Sequence, residues 1–393
     1  MTNLWTENHP RDFWLTRTRF PEEVWQEAIK RATPVLLLEH TPTDIDEILS
    51  LTLGEGRFGE KHWELGLTKK VYYLLKPLIP KIVSRRLRQL LNRESQQPGR
   101  WIIESRYVEF LWEVMRQVLV LSGQTQTVIR NLWPQHRRYA FVLTHDIETD
   151  EGQAFTEEVA NLEESLGFRS SFNFVPDRYR IDTGLMDRLR NRGFEIGVHG
   201  YKHNGRLFNT QKGFARNARK INTLIKEWGT AGFRSELTLR QPFWMQQLDI
   251  LYDLSFFDID PFEPIPGGAM SIWPFFICHF VELPYTLLQD NTLISILGQV
   301  SPQLWLTKID FIEKYHGLAL INTHPDYLVK KLNWDVYMDF LHTMRNRTNY
   351  WHALPGDVAR WWKARSKTSP DDQYNLEDLS EVFIENGIFQ VKP

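Results

Sequence analysis

Several short stretches of this 393-residue chain carry side chains able to hold a metal or move a proton. They are Thr144-His145-Asp146-Ile147-Glu148, His199-Gly200-Tyr201-Lys202-His203, Arg234 in Gly-Phe-Arg-Ser-Glu, the aspartates Asp253, Asp258 and Asp260, and Thr323-His324-Pro325-Asp326. Alone, each has an ordinary explanation. Two acids after a strand often cap a helix, and a histidine pair spaced i, i+4 can be a surface feature. Together they offer two imidazoles and a carboxylate, a donor set that leaves positions open for water and substrate on a divalent metal. Further acids, an imidazole and a guanidinium remain for proton transfer.

The elements before these stretches bring them together. Residues 139–144, 170–175, 194–198, 232–233, 254–257, 279–283 and 318–323 read as short buried strands. Between and after them, 157–166, 183–192, 211–228, 301–315, 335–343 and 355–364 read as helices. Repeated β-then-α units imply a mostly parallel sheet or barrel. In such folds the polar residues at C-terminal strand ends converge on one face, where the chemistry is done. Upstream, 36–38 reads as a strand, and 44–53 and 107–121 as helices. The polar tail, 366–393, is expected to hold a short helix near 376–383.

Composition narrows the classes. The 42% hydrophobic and 24% charged residues are those of a folded globular chain. A net charge of −2 predicts no general attraction to nucleic acid. The one cysteine, Cys278, rules out an internal disulfide and a zinc ribbon, so a metal must use His and carboxylates. The 15 Trp suit a carbohydrate groove or a bulky core. Residues 67–94 hold eight Lys or Arg against Glu94 alone, a net of +7, interleaved with Leu, Ile and Val. That reads as a solvated helix packing its apolar face, or as a peripheral membrane contact. With no secretory pattern and no apolar run of about 20 residues, the expected location is cytoplasmic, or the inner membrane face if 67–94 binds there. Gly-Glu-Gly-Arg-Phe-Gly-Glu at 54–60 lacks the Lys-Ser/Thr of a phosphate loop.

In motif order, residues 136–365 resemble the polysaccharide deacetylase family, the NodB homology domain of carbohydrate esterase family 4. The resemblance implies an α/β fold, a distorted (β/α) barrel, with residues 1–135 a mixed, largely helical accessory extension. It implies one divalent metal ion, zinc, cobalt or nickel, on Glu148, His199 and His203. Asp146 would be the general base and His324 the general acid. Arg234 would orient the base, with Arg240 its rival, and Asp253, Asp258 or Asp260 would support His324. Tyr201 and Tyr285 are candidate substrate contacts. The implied activity is hydrolysis of N-acetyl or O-acetyl groups on an amino sugar of a polysaccharide or glycan precursor. The alternatives are a glycan-binding protein on the same fold and another metal-dependent hydrolase. Glu148 replaces the usual Asp, Gly200 stands where Ser or Thr is common, and Glu236 where Pro is common.

Overall fold

The computed structural model of the chain describes residues 3–59, 62–63, 102–367 and 378–392. The basic segment at 67–94 lies outside them. Among the described residues no helix is long and apolar enough to cross a membrane.

Near the N-terminus, α1 (Glu22–Ala32) buries Trp25, Ala28, Ile29 and Ala32, an i, i+3, i+4, i+7 stripe. That stripe packs on α2 (Arg106–Leu121), which buries Leu111, Val114, Met115 and Val118. After β1 (Gln126–Arg130) comes β2 (Tyr139–Ile147), buried along its whole length. The βα units follow as α3 (Asp150–Ser165), β3 (Ser170–Phe174), α4 (Thr183–Asn191), β4 (Glu195–His199), α5 (Gln211–Glu227), β5 (Gly232–Arg234) and β6 (Tyr252–Asp253). A short hairpin, β7 (Phe275–Ile277) and β8 (Phe280–Glu282), precedes α6 (Gln303–Lys314), β9 (Leu318–Thr323), α7 (Lys331–Arg345), β10 (Tyr350–His352) and α8 (Pro355–Ser366). The chain ends in β11 (Leu379–Glu385) and β12 (Ile388–Lys392).

The main sheet runs β9-β2-β3-β4-β5-β6-β8-β7, with β10 beside the start of β2. Every pairing is parallel except β7 with β8. Past β8 the chain turns back, and Leu287 bridges Ile321 of β9 while Phe257 bridges Tyr285. The sheet therefore curls into a distorted barrel. Its central strands are buried along nearly their whole length because helices cover one face and the barrel interior the other. Trp14, Trp25, Trp133, Trp273 and Trp305 are fully buried, so much of the tryptophan excess serves the core.

The N-terminal region is fastened to the barrel by buried polar contacts. Asn8 exchanges two hydrogen bonds with the Phe276 backbone, at 2.8 and 2.7 Å. Glu55, in a left-handed turn (φ 57°), pairs with Arg240 and accepts from the Gly268 N–H.

Three local expectations are corrected. Residues 33–36 form a 3-10 turn rather than opening a strand, and Leu37 is exposed. A run of three apolar residues carries no period to separate the two. The strand expected at 254–257 lies at Tyr252–Asp253. The helix expected near 376–383 is strand β11, which pairs antiparallel with both β1 and β12. Asn386 and Gly387 take positive φ (51° and 79°) at the hairpin tip, a turn that Asn-Gly favours.

Candidate metal and catalytic centre

The end of β2 sets the geometry. Alternation along a strand puts Asp146 and Glu148 on one face and His145 on the other. His145 turns away to Glu163 and Thr323, at 2.7 Å each. The carboxylate of Asp326 accepts from the Glu148 N–H at 2.9 Å and from Thr149 Oγ1. Gly152 makes room for it: a Cβ there would meet Asp326 Oδ2 at 2.3 Å.

His199 ends β4, and Gly200 (φ 59°) and His203 (φ 50°) fold the next loop back over it. A Cβ on Gly200 would lie 3.3 Å from Glu236, so Gly200 accommodates both the left-handed backbone and the buried Glu236 side chain. The rings of His199 and His203 come to 4.9 Å, centroid to centroid. One donor atom from each of Glu148, His199 and His203 falls within 4.8 Å of the others. His203 Nε2 is 3.0 Å from Glu148 Oε1. The Nε2 atoms of both histidines are buried, and that of His199 makes no hydrogen bond. His199 Nδ1 lies 3.2 Å from the Arg234 carbonyl. If that nitrogen carries the ring proton, Nε2 presents its lone pair. An orphaned His199 nitrogen beside the His203–Glu148 pair fits a divalent cation, since the orphan otherwise carries the cost of an unmade hydrogen bond.

Asp146 is held from three sides. Its Oδ1 accepts from Asn173 Nδ2 at 3.0 Å and Arg234 Nη1 at 3.1 Å, and its Oδ2 from Asn322 Nδ2 at 2.8 Å. Gly197 opens the space for Asn173, whose Oδ1 would lie 2.0 Å from a Cβ on Gly197. Arg234 is fixed in turn by the Leu254 carbonyl at 2.9 Å and Thr144 Oγ1 at 3.0 Å. Burial pushes the Asp146 carboxyl up, but Arg234, His199 and His324 outweigh it and hold the group well below the usual carboxylate range. For Glu148 burial is likewise outweighed, by His203 first and then His324 and His199. Burial lowers His199 to about 4, so its ring stays neutral, the form that binds a metal.

His324, just past β9, lies across the site with Nε2 3.9 Å from Glu148 Oε1. Its Nδ1 is 2.7 Å from Asp290 Oδ1, and its N–H donates to Asp290 Oδ2 at 2.9 Å. Burial would lower the ring, but Asp290 reverses this and raises it to about 10, which keeps a proton on the imidazole at neutral pH.

The structure brings together Asp146, Glu148, His199, His203, Arg234 and His324. It separates others. Asp253 bonds the Ser255 hydroxyl at 2.7 Å and lies beside Glu282, with no contact to His324. Asp258 pairs with buried Lys308, and Asp260 accepts from the Phe262 N–H. The supporter of His324 is Asp290, none of the three expected. Tyr285 is 1% exposed, with its hydroxyl donated to Glu263 at 2.7 Å, so it does not line a groove. Arg240 is committed to Glu55 and is no rival to Arg234. Tyr201 is half-buried at the rim, under Lys220. Sequence reasoning also missed Asn173 and Asn322. Each is an Asn inside a buried apolar strand, where an amide must find partners. Asp290 had no such signal, because its loop gives no spacing to His324.

No protein-family model matches the chain, and no curated protein matches it. Solved structures resemble it at low identity. A Mycobacterium smegmatis protein assigned as a polysaccharide deacetylase is 14% identical, with 63% of this chain and 97% of that one covered and a TM-score of 0.49. The peptidoglycan deacetylase PdaC of Bacillus subtilis is 12% identical over 60% of this chain and 95% of its own, with a TM-score of 0.39. A family 4 acetyl xylan esterase of Clostridium thermocellum, solved with a cobalt ion, is 16% identical over 56% and 91%, with a TM-score of 0.36.

Proposed function

We propose that the chain is a metal-dependent deacetylase that hydrolyses the N-acetyl group of an amino sugar in a glycan or glycan precursor. The observation that carries this reading is one convergence. One nitrogen each of His199 and His203 and a Glu148 oxygen come within 4.8 Å of one another, flanked by an ionised Asp146 and a protonated His324. The order of the motifs along the chain, which resembles that of polysaccharide deacetylases, supports it.

Glu148, His199 and His203 would hold the ion, which supplies Lewis acidity to an acyl oxygen and acidifies water. The residues of the chain do the rest. Asp146 accepts a proton from the attacking water as its oxygen bonds to the acyl carbon. Arg234, Asn173 and Asn322 keep that carboxylate ionised and fixed. His324, oriented by Asp290, gives its proton to the amide nitrogen as the C–N bond breaks, so that an amine and not an amide anion departs. Acetate and the free amino sugar are the products. Asp146 and His324 would each contribute about 10²–10⁴-fold.

The test is acetate release from N-acetylhexosamine oligomers, with and without chelator, by the wild-type chain and by His199→Ala. Loss on chelation and in the variant is expected. Release that ignores both treatments would refute the reading.

A further inference from the structure

Arg178 is in the wrong place for a metal site acting alone. It sits in the loop after β3, which is pinned by Tyr179 donating to the Ile147 carbonyl at 2.7 Å and by the Asp177 N–H donating to the Tyr201 carbonyl at 2.9 Å. Its side chain is 35% exposed at the mouth of the site. One guanidinium nitrogen lies 2.6 Å from His203 Nδ1, and another contact runs to Glu148 Oε2 at 3.9 Å. A guanidinium is a donor only. When His203 binds a cation through Nε2, the ring proton is on Nδ1, so two donors would face each other at that distance. Arg178 then has to leave His203, and Glu148 is engaged as a ligand. A partly exposed guanidinium at the mouth is then free to meet an anionic group entering the site.

The loop and helix that follow the metal ligands are cationic as well. Residues 201–220, which carry His203 and open α5, hold Lys202, Arg206, Lys212, Arg216, Arg219 and Lys220 and no acid, a net of +6. All six are exposed. Lys202 has a partner in Asp177 at 3.2 Å. Lys220 lies over Tyr201, 5.0 Å from the ring centroid and 3.4 Å from its hydroxyl. This pairs a flat ring with a cation beside the metal ligands, on a chain whose overall charge is only −2.

We propose that Arg178 receives an anionic group of the substrate next to the acetamido sugar, and that the basic rim at 201–220 carries the continuing anionic chain. The substrate is then an acidic glycan, bearing carboxylate or phosphate, rather than a neutral one. A bidentate Arg contact suits either oxyanion. This inference rests on the deacetylase reading and names its substrate class.

The experiment uses the full chain with its metal and three oligosaccharides of equal length. One is neutral and built of N-acetylhexosamine. One alternates N-acetylhexosamine with uronate. One carries N-acetylhexosamine with phosphate. Calorimetric affinity is measured with Asp146→Asn to prevent turnover, and acetate release with the wild type. An acidic glycan is expected to bind about tenfold or more tighter than the neutral one, the size of a charge-assisted contact. That advantage should shrink at about 1 M salt. Arg178→Gln should erase most of the ratio of acidic to neutral affinity, and Arg178→Lys should restore part of it. The uronate and phosphate arms separate the two anion sources. Equal affinity for neutral and acidic glycans, or an unchanged ratio in Arg178→Gln, would overturn the inference. Acetate release from the neutral oligomer alone would overturn it while leaving the deacetylase reading intact. Binding without release from any of the three would instead count against that reading.

Discussion

Two buried polar clusters lie in this barrel, and they treat carboxyl groups in opposite ways. At the mouth, Asp146 and Glu148 are held ionised against burial, because Arg234 and the imidazoles of His203 and His324 face them. Under the loops after β5, Asp253, Glu282, Asp258 and Asp260 are all pushed up by burial. There the groups face one another or share few cations, so burial shifts them toward the protonated form. The second cluster ties the fold together: Glu55 crosses from the N-terminal region to Arg240, and Lys308 reaches Asp258. Burial and charge density are common to both. What separates a reactive centre from a polar core here is carboxylate kept ionised beside converging imidazole nitrogens, one of which, His199 Nε2, has nothing to bond.

The contrast can be broken at several points. Asp146→Asn should lower deacetylation about 10²–10⁴-fold while metal binding persists, measured by acetate release and metal content. Loss of the metal in that variant would mean that Asp146 is a ligand. In the other cluster Glu55→Ala should leave Arg240 buried and unpaired, at a cost of about 3–5 kcal/mol in denaturant unfolding. Its turnover per folded molecule should stay near wild type.

A pH effect tests the upward shifts. Burial, opposed by Lys308, raises Asp258 from 3.8 to about 6. Between those values the folded chain holds a proton that the unfolded chain has released. Its stabilisation is therefore complete below pH 3.8 and lost as pH rises through about 6. Relative to Asp258→Asn, the wild type should lose about 3 kcal/mol across that window. A stability difference that grows with pH would contradict the shift. The smallest effect is expected at Glu282, whose carboxyl is pushed well above its ordinary range by burial and by Asp253. A protonated carboxyl is close to an amide in shape, so Glu282→Gln should change stability by less than about 1 kcal/mol and leave kcat unaltered.

The centre was more legible in the sequence than the core cluster, for a physical reason. Asp146, Glu148, His199, His203, Arg234 and His324 all follow short apolar runs, and parallel strands carry such ends to one face whatever their loops do. Asp253 satisfied the same rule, yet its carboxyl belongs to Ser255 and Glu282. A two-residue strand gives no means of telling which way its side chains face. Asp290 broke the rule, reaching His324 from a loop that only the curled barrel brings close. The terminal hairpin is not legible locally, because its pairing with β1 spans most of the chain while the local apolar spacing suits a helix equally well.

The most direct test of the central claim is a titration of zinc into the metal-stripped full-length chain, followed by calorimetry, beside His203→Ala. The account predicts saturable binding of one ion per wild-type chain, and its loss or a large weakening in the variant. Binding that is absent in the wild type, or undiminished in His203→Ala, would contradict a centre built on Glu148, His199 and His203.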